Sequence, residues 1–226
     1  MVADMRTQKA QATRQAILAA AEEQFARLGY ADTRLEDIGL EVGIGRSAVL
    51  YHFQSKEQLY DAVIRTAIGD MMNDLRRAVV GSRPLAERFE EMISVALDHI
   101  ARRPSFAQIA LRLVGTSDPE RKERLLSDAA PIIDLLQAMY DEGIRTGEIR
   151  PPLGSDFFHI LSVLSGGTMF YVAALPAITK RLPYDLLSPD QFDTHKREVL
   201  LIARVLLGIG TVERSMDGGV ATESSA

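Results

Sequence analysis

Residues 33–56 read TRLEDIGLEVGIGRSAVLYHFQSK, and the reading of this stretch decides the fold. Thr33 followed three residues later by Glu36 has the pattern of a capping box, which predicts a helix start. Gly43 stops that helix. A tight turn at Gly43-Ile44-Gly45 then leads into a second short helix, from about Arg46 to Phe53. Two short helices joined by so tight a turn make a helix-turn-helix. Gly39 and Gly43 are four residues apart and share a face, where the missing side chains let the next helix approach closely. A glycine inside a helix costs about 0.5–1 kcal/mol against alanine, and a close crossing explains why Gly39 is tolerated. Ile38, Val42, Ile44 and Val49 are expected to close a small core against Phe25 and Leu28.

That packing leaves one edge of the second short helix bare, with Arg46, Ser47, Tyr51 and His52 facing outward. Arginine can bridge O6 and N7 of guanine, and serine can bond a base or a phosphate, so this edge is a candidate DNA-reading surface. Lys56, at the positive end of the following helix, can meet a phosphate. Thr33 and Arg34 are placed to do the same from the preceding helix.

Helical patterning continues on both sides. Upstream, a helix runs from about Thr7 to Leu28 with Ile17, Ala21, Phe25 and Leu28 on one stripe, and Gly29 suits its end. Downstream, Ser55-Lys56-Glu57-Gln58 is another capping box, opening a long helix to about Val79. Gly81, Ser82 and Pro84 mark a break. Further helices run from about Pro84 to Ala101, Ser105 to Val114, a cap at Asp118-Pro119-Glu120 to near Gly147, Ser155 to Ala174, and a cap at Ser188-Pro189-Asp190-Gln191 to near Gly208. Period-two alternation is absent, so the chain is read as all-α, with about nine helices. A three-helix DNA-binding domain is expected over residues 1–60, with the connecting helix of residues 56–79 starting inside it. A helical body is expected over residues 61–212 and a disordered tail over 213–226.

Composition narrows the function. The net charge of the 226 residues is −5, so the whole chain is not a basic nucleic-acid wrapper and any DNA contact needs a local patch. Residues 1–60 hold seven Lys and Arg against eight Asp and Glu, so the positive charges have to be sorted onto one face. At the N-terminus Arg6, Lys9 and Arg14 outnumber Asp4, the pattern of a phosphate-gripping arm. Cysteine is absent, which removes disulfides and cysteine chemistry and suits a reducing cytoplasm. His159, Ser162, Ser165, Gly166, Gly167, Thr168 and Pro176 interrupt the most apolar stretch, Phe157 to Ile178. It therefore reads as a buried or dimer helix, not a membrane span. No glycine-rich phosphate loop, HExxH, GxSxG or ExxH pair occurs, and His99, His159 and His195 lie on separate helices, so no enzyme activity, cofactor or metal is expected. The acidic balance leaves open a helical module that binds protein instead of DNA.

From about Ala16 to Val63 the chain resembles the DNA-binding domain of the TetR family. The resemblance rests on Ile17, Ala21, Phe25, Gly29-Tyr30, Thr33, Ile38, Gly43-Ile44, Phe53, Lys56 and Leu59. Three positions depart from the family pattern: Gly39 stands where alanine is usual, Gly45 where serine is usual, and Leu50 where a phosphate-contacting tyrosine is usual, with Tyr51 beside it. The resemblance implies a homodimeric transcription regulator, mostly a repressor, that binds a double-stranded palindromic operator and senses a small-molecule effector. It implies a dimer interface built from the two C-terminal helices, with which Ser162, Gly166, Phe192, Val199, Ile202 and Leu206 are compatible. It also implies a ligand cavity, for which the candidate lining is Phe89, Met92, His99, Phe106, Met139, Tyr140, Phe158, Met169 and Phe170, suiting a mostly apolar ligand.

Overall fold

The computed structural model describes residues 2–79, 83–115, 119–120, 123, 127–179 and 183–209. Among them are ten α-helices and no strand. The helices are α1 (Val2–Asp32), α2 (Leu35–Val42), α3 (Arg46–His52), α4 (Lys56–Val79), α5 (Leu85–Arg102), α6 (Pro104–Val114), α7 (Ala130–Thr146), α8 (Phe157–Ala173), the short α9 (Leu175–Ile178) and α10 (Pro189–Leu207). A single 3-10 turn, Ser127–Ala129, precedes α7. The expected cap at Asp118 and the tail over 213–226 lie outside the described residues. No helix among the described residues is long and apolar enough to cross a membrane.

The helices end where the sequence predicts. α1 breaks at Gly29 (φ 82°), and Gly147 and Gly208 close α7 and α10 in the left-handed region. α1 nevertheless starts at Val2, well before the expected Thr7. Ser55 caps α4 by accepting the Gln58 backbone N–H at 3.1 Å. Asp156, not Ser155, opens α8, accepting the His159 N–H at 2.9 Å.

Phe25 holds the N-terminal helices together. It is fully buried, with its ring edge-on to Tyr60 at 4.8 Å and stacked on Tyr30 at 6.1 Å. Burying such a ring stabilises by about 1.5–3 kcal/mol, and each aromatic pair adds roughly 0.5–1.5 kcal/mol. Leu28, expected beside it, faces solvent instead, because the kink at Gly29 ends the packed stripe one turn earlier. The same apolar cluster continues from Ile17 and Phe25 through Leu59, Met72 and Phe89 to Leu207. The division expected between residues 60 and 61 falls inside α4, and the core runs on across it.

A polar tie joins the same two regions. Arg103, in the α5–α6 corner, grips the buried Glu22 carboxylate of α1 with Nε at 3.0 Å and Nη2 at 2.5 Å. Its Nη1 reaches Asp70 of α4 at 2.7 Å. Ser105 Oγ adds a hydrogen bond to Glu22 at 2.6 Å. A carboxylate out of water needs this many donors to offset its desolvation.

Candidate nucleic-acid interface

The turn between α2 and α3 is set by two glycines in different ways. Gly43 takes φ +75°, and the Ile44 N–H donates to the Gly39 carbonyl at 2.8 Å while the Gly43 N–H donates to that of Leu40 at 3.1 Å, the paired bonds of a Schellman end. Nothing lies within 4 Å of a Cβ at Gly43, so its role is conformational. Close packing belongs to Gly39 alone: a Cβ there would stand 2.7 Å from the Ile44 carbonyl oxygen and 3.4 Å from Val49 Cγ2. Ile38 and Val49 are fully buried beneath this crossing.

With Val49 inward, α3 turns its other edge to water. Arg46, Ser47 and Tyr51 are exposed and His52 is half-buried. Tyr51 is 83% exposed, edge-on to the His52 ring at 5.3 Å. Its neighbour Leu50 packs against the core, so the aromatic of this pair is the one on the surface. Arg46 Nε pairs with Glu36 of α2 at 3.0 Å, both side chains more than half exposed. Such a pair is worth about 0–1 kcal/mol, less than the roughly 1–3 kcal/mol of discrimination from a bidentate guanine contact, so Arg46 can be drawn onto a base.

Two flanking positions behave differently from expectation. Thr33 is only 1% exposed, and its hydroxyl donates back to the Gly29 carbonyl at 2.7 Å. It therefore closes the α1 kink and does not cap α2, whose first turn is preceded by Arg34 with no side-chain cap. The buried hydroxyl also cannot reach a phosphate, which removes Thr33 as a side-chain contact. Arg34 is exposed. Lys56 Nζ donates to the Ala31 carbonyl at 2.9 Å and sits 4.7 Å from the Tyr30 ring centroid. Partial burial lowers its pKa, against the opposing charge of Asp32. The ammonium keeps further donors beyond this bond.

At the far end of α4 lies an apolar cavity of about 130 Å³. Its walls come from α4 (Leu75), α5, α7 (Leu136, Tyr140), α8 and α10 (Val199, Leu207). No charged side chain lines it. The hydroxyls of Ser165 and Thr168 donate back to their own helix, to Leu161 at 2.6 Å and Leu164 at 3.0 Å. Thr168 also lies 3.3 Å from His195 Nε2; burial lowers the His195 pKa, with Glu198 opposing.

Of the expected lining, Phe89, Met92 and Tyr140 face this cavity and the others do not. His99 turns to Asp74 of α4 at 3.2 Å, and that hydrogen bond is the main reason the Asp74 carboxyl lies below the usual carboxylate range. Phe106 lines a separate gap between α4 and α6. Met139 is buried in the core, and Met169 packs in a second cluster with Phe192 and Val199. Phe158 and Phe170 are exposed on the outer side of α8.

α8 packs beside α10, and both helices expose apolar side chains. Ser162, Val163 and Gly166 of α8 and Leu201, Ile202 and Val205 of α10 are exposed, and Leu206 is half-buried beside them. Phe192 and Val199 are not among them: both are buried within the chain, because α10 is apolar on an inner and an outer face.

Comparison with known proteins agrees with this architecture. The family description "Bacterial regulatory proteins, tetR family" matches residues 17–63. A second, "Tetracyclin repressor-like, C-terminal domain", matches residues 86–201, half of the chain. The chain belongs to the TetR family. It is similar to the HTH-type transcriptional regulator RutR of Escherichia coli (strain K12), with 27% identity over 173 residues, covering 76% of this chain and 80% of RutR. The HTH-type transcriptional repressor BepR of Brucella suis biovar 1 (strain 1330) is 27% identical over 137 residues, covering 60% of this chain and 63% of BepR. Among solved structures, FadR from Bacillus subtilis in complex with stearoyl-CoA superposes with a TM-score of 0.67 at 20% identity, over 86% of this chain and 98% of FadR. The ketosteroid transcriptional regulator KstR2 of Mycobacterium tuberculosis gives 0.66 at 21% identity, over 84% and 92% of the two chains. This TetR-family chain is a DNA-binding transcription regulator, not an enzyme.

Proposed function

We propose that this regulator is a cytoplasmic repressor that grips a palindromic operator as a homodimer and releases it on binding a small, mostly apolar molecule. Arg34, Arg46, Ser47, Tyr51, His52 and Lys56 are the DNA-contacting side chains, with Tyr51 on the surface that Leu50 leaves. The observation that carries the reading is the placing of α4: its first turn follows the exposed edge of α3, and Leu75 near its last turn walls the apolar cavity. A ligand that fits one setting of α4 better than the other shifts the separation of the two α3 helices, and only that difference in affinity can drive release. The uncharged lining supports an apolar ligand, as does the acyl chain of the stearoyl-CoA that FadR holds. At this size the cavity takes a group near that of benzene, which fills an engineered cavity of about 150 Å³. Operator gel shifts with apolar compounds found by thermal-stabilisation screening test the switch. Affinity should drop at saturating ligand, and unchanged affinity rejects release by that compound.

The dimer is assigned to the outer face of α8 and α10. A two-fold axis there presents the same patch from both copies and sets two α3 helices about 34 Å apart, one turn of DNA. Ile202→Glu and Val163→Glu change side chains that are half exposed in the single chain, so each monomer should keep its fold. Sedimentation should show monomers, and operator affinity should fall roughly 10²-fold or more as the second half-site is lost. A dimer that survives both substitutions contradicts this interface.

A further inference from the structure

α1 begins at Val2, yet from Met5 onward its first buried side chain is Ile17. From Met5 to Ala16 the side chains are exposed, Thr13 alone being half-buried. An isolated helix of about a dozen residues is marginal in water. This one propagates from the packed segment beyond Ile17 and contains good helix formers at Gln8, Ala10, Gln11 and Ala12. From Met5 to Ala16 the extension buries no side chain in the core, so what it offers is its surface.

That surface is basic in an acidic protein. Arg6, Lys9 and Arg14 stand against Asp4, whereas the whole chain carries −5. Among the described residues neither Arg6 nor Lys9 has an ion-pair partner. Arg6, Lys9 and Thr13 follow one another at three- and four-residue steps, and the line continues into Ile17 and Ala21, where α1 enters the core. Arg14 fixes where the extension leaves the body: its guanidinium lies 4.6 Å from the centroid of the Phe53 ring, the residue that ends α3.

We infer that residues 2–15 are a second DNA-contacting element, a helical arm whose Arg6 and Lys9 grip backbone phosphates beyond the groove that α3 enters. The inference rests on the reading of α3 as the groove-facing helix. From Arg14 back to Arg6 the arm spans about 12 Å at a rise of about 1.5 Å per residue. That matches the roughly 12 Å width of the major groove, so the long Arg6 side chain can reach the neighbouring strand. Phosphate contacts of this kind raise affinity for every sequence and carry no base information.

The test measures affinity against salt for the full chain on two labelled duplexes of about 30 base pairs, one a selected operator and one of random sequence. Arg6→Ala/Lys9→Ala should lower the magnitude of the log–log salt slope by about 2 on both duplexes. It should weaken both to a similar degree and leave thermal stability unchanged. Arg6→Lys/Lys9→Arg should keep the wild-type slope. Hydrogen exchange over residues 2–15 should slow when DNA is added. A double alanine variant with the wild-type slope overturns the arm, even while wild-type binding leaves the α3 reading intact. Loss of the dimer in that variant would give the arm to a second copy of the chain and also overturn the inference. Failure of the wild-type protein to bind either duplex would instead strike at the α3 reading.

Discussion

Gly39→Val should sharply weaken operator binding. A Cβ at this position stands 2.7 Å from the Ile44 carbonyl oxygen, and the obstacle is backbone that no rotamer change can move aside. Valine adds two further carbons toward Val49, whose Cγ2 is already 3.4 Å from that Cβ. Overpacking of this kind costs about 1–3 kcal/mol, and the way to relieve it is to push the α2–α3 turn outward. α3 then loses its seat over Ile38 and Val49, and the Arg46–Ser47–Tyr51 edge no longer meets a groove in register. Operator affinity should fall by roughly 10²-fold or more, since misplaced contacts forfeit about 1–3 kcal/mol each. Gly39→Ala makes the same 2.7 Å contact with backbone and recovers only about 0.5–1 kcal/mol of helix propensity, so it too should weaken operator binding, by less than valine because it adds no γ-carbons. Filter binding and thermal melts of the pair measure both effects. A valine variant with wild-type affinity would show that the crossing is not what places α3.

Arg103→Ala should produce the largest loss of stability outside the hydrophobic core. It strips the buried Glu22 carboxylate of its three guanidinium hydrogen bonds and leaves only the Ser105 hydroxyl. Breaking a fully buried pair costs about 3–5 kcal/mol; Arg103 is a quarter exposed, so about 2–3 kcal/mol is expected here. For a chain of this length that lowers the melting temperature by roughly 5–10 °C. Glu22→Gln with Arg103→Ala should restore much of the loss, because a neutral amide is cheaper to bury than an unpaired carboxylate. If the double variant is as unstable as the two single losses summed, the pair is not coupled. Because this tie joins α1 to the corner below the cavity wall, the single variant should also weaken any effect of ligand on operator affinity.

The decisive features of the site were legible in the sequence where one residue type has one physical use. Gly43 ends a helix because its neighbours cannot easily take its φ, and the Ser55–Gln58 spacing opens α4 because a serine oxygen reaches the third N–H beyond it. Local spacing misled at Thr33, where the same capping pattern competes with a buried carbonyl at Gly29 that only the kinked backbone brings near. It also misled in the body. α8 is apolar on every side, so periodicity could not separate Phe157, which walls the cavity, from Phe158 and Phe170, which face out. Val199 and Phe192 were misplaced for the same reason on α10. The Glu22–Arg103 tie spans residues 81 apart and leaves no trace in any local pattern.

The most direct test of the account is selection of bound duplexes from a random-sequence pool by the purified 226-residue chain in low-salt buffer. The account predicts enrichment of an inverted repeat with half-site centres about 10 base pairs apart, lost on Arg46→Ala/Ser47→Ala. A pool that stays random after repeated rounds, or an enriched motif indifferent to Arg46, Ser47 and Tyr51, would contradict the claim that the exposed edge of α3 reads DNA.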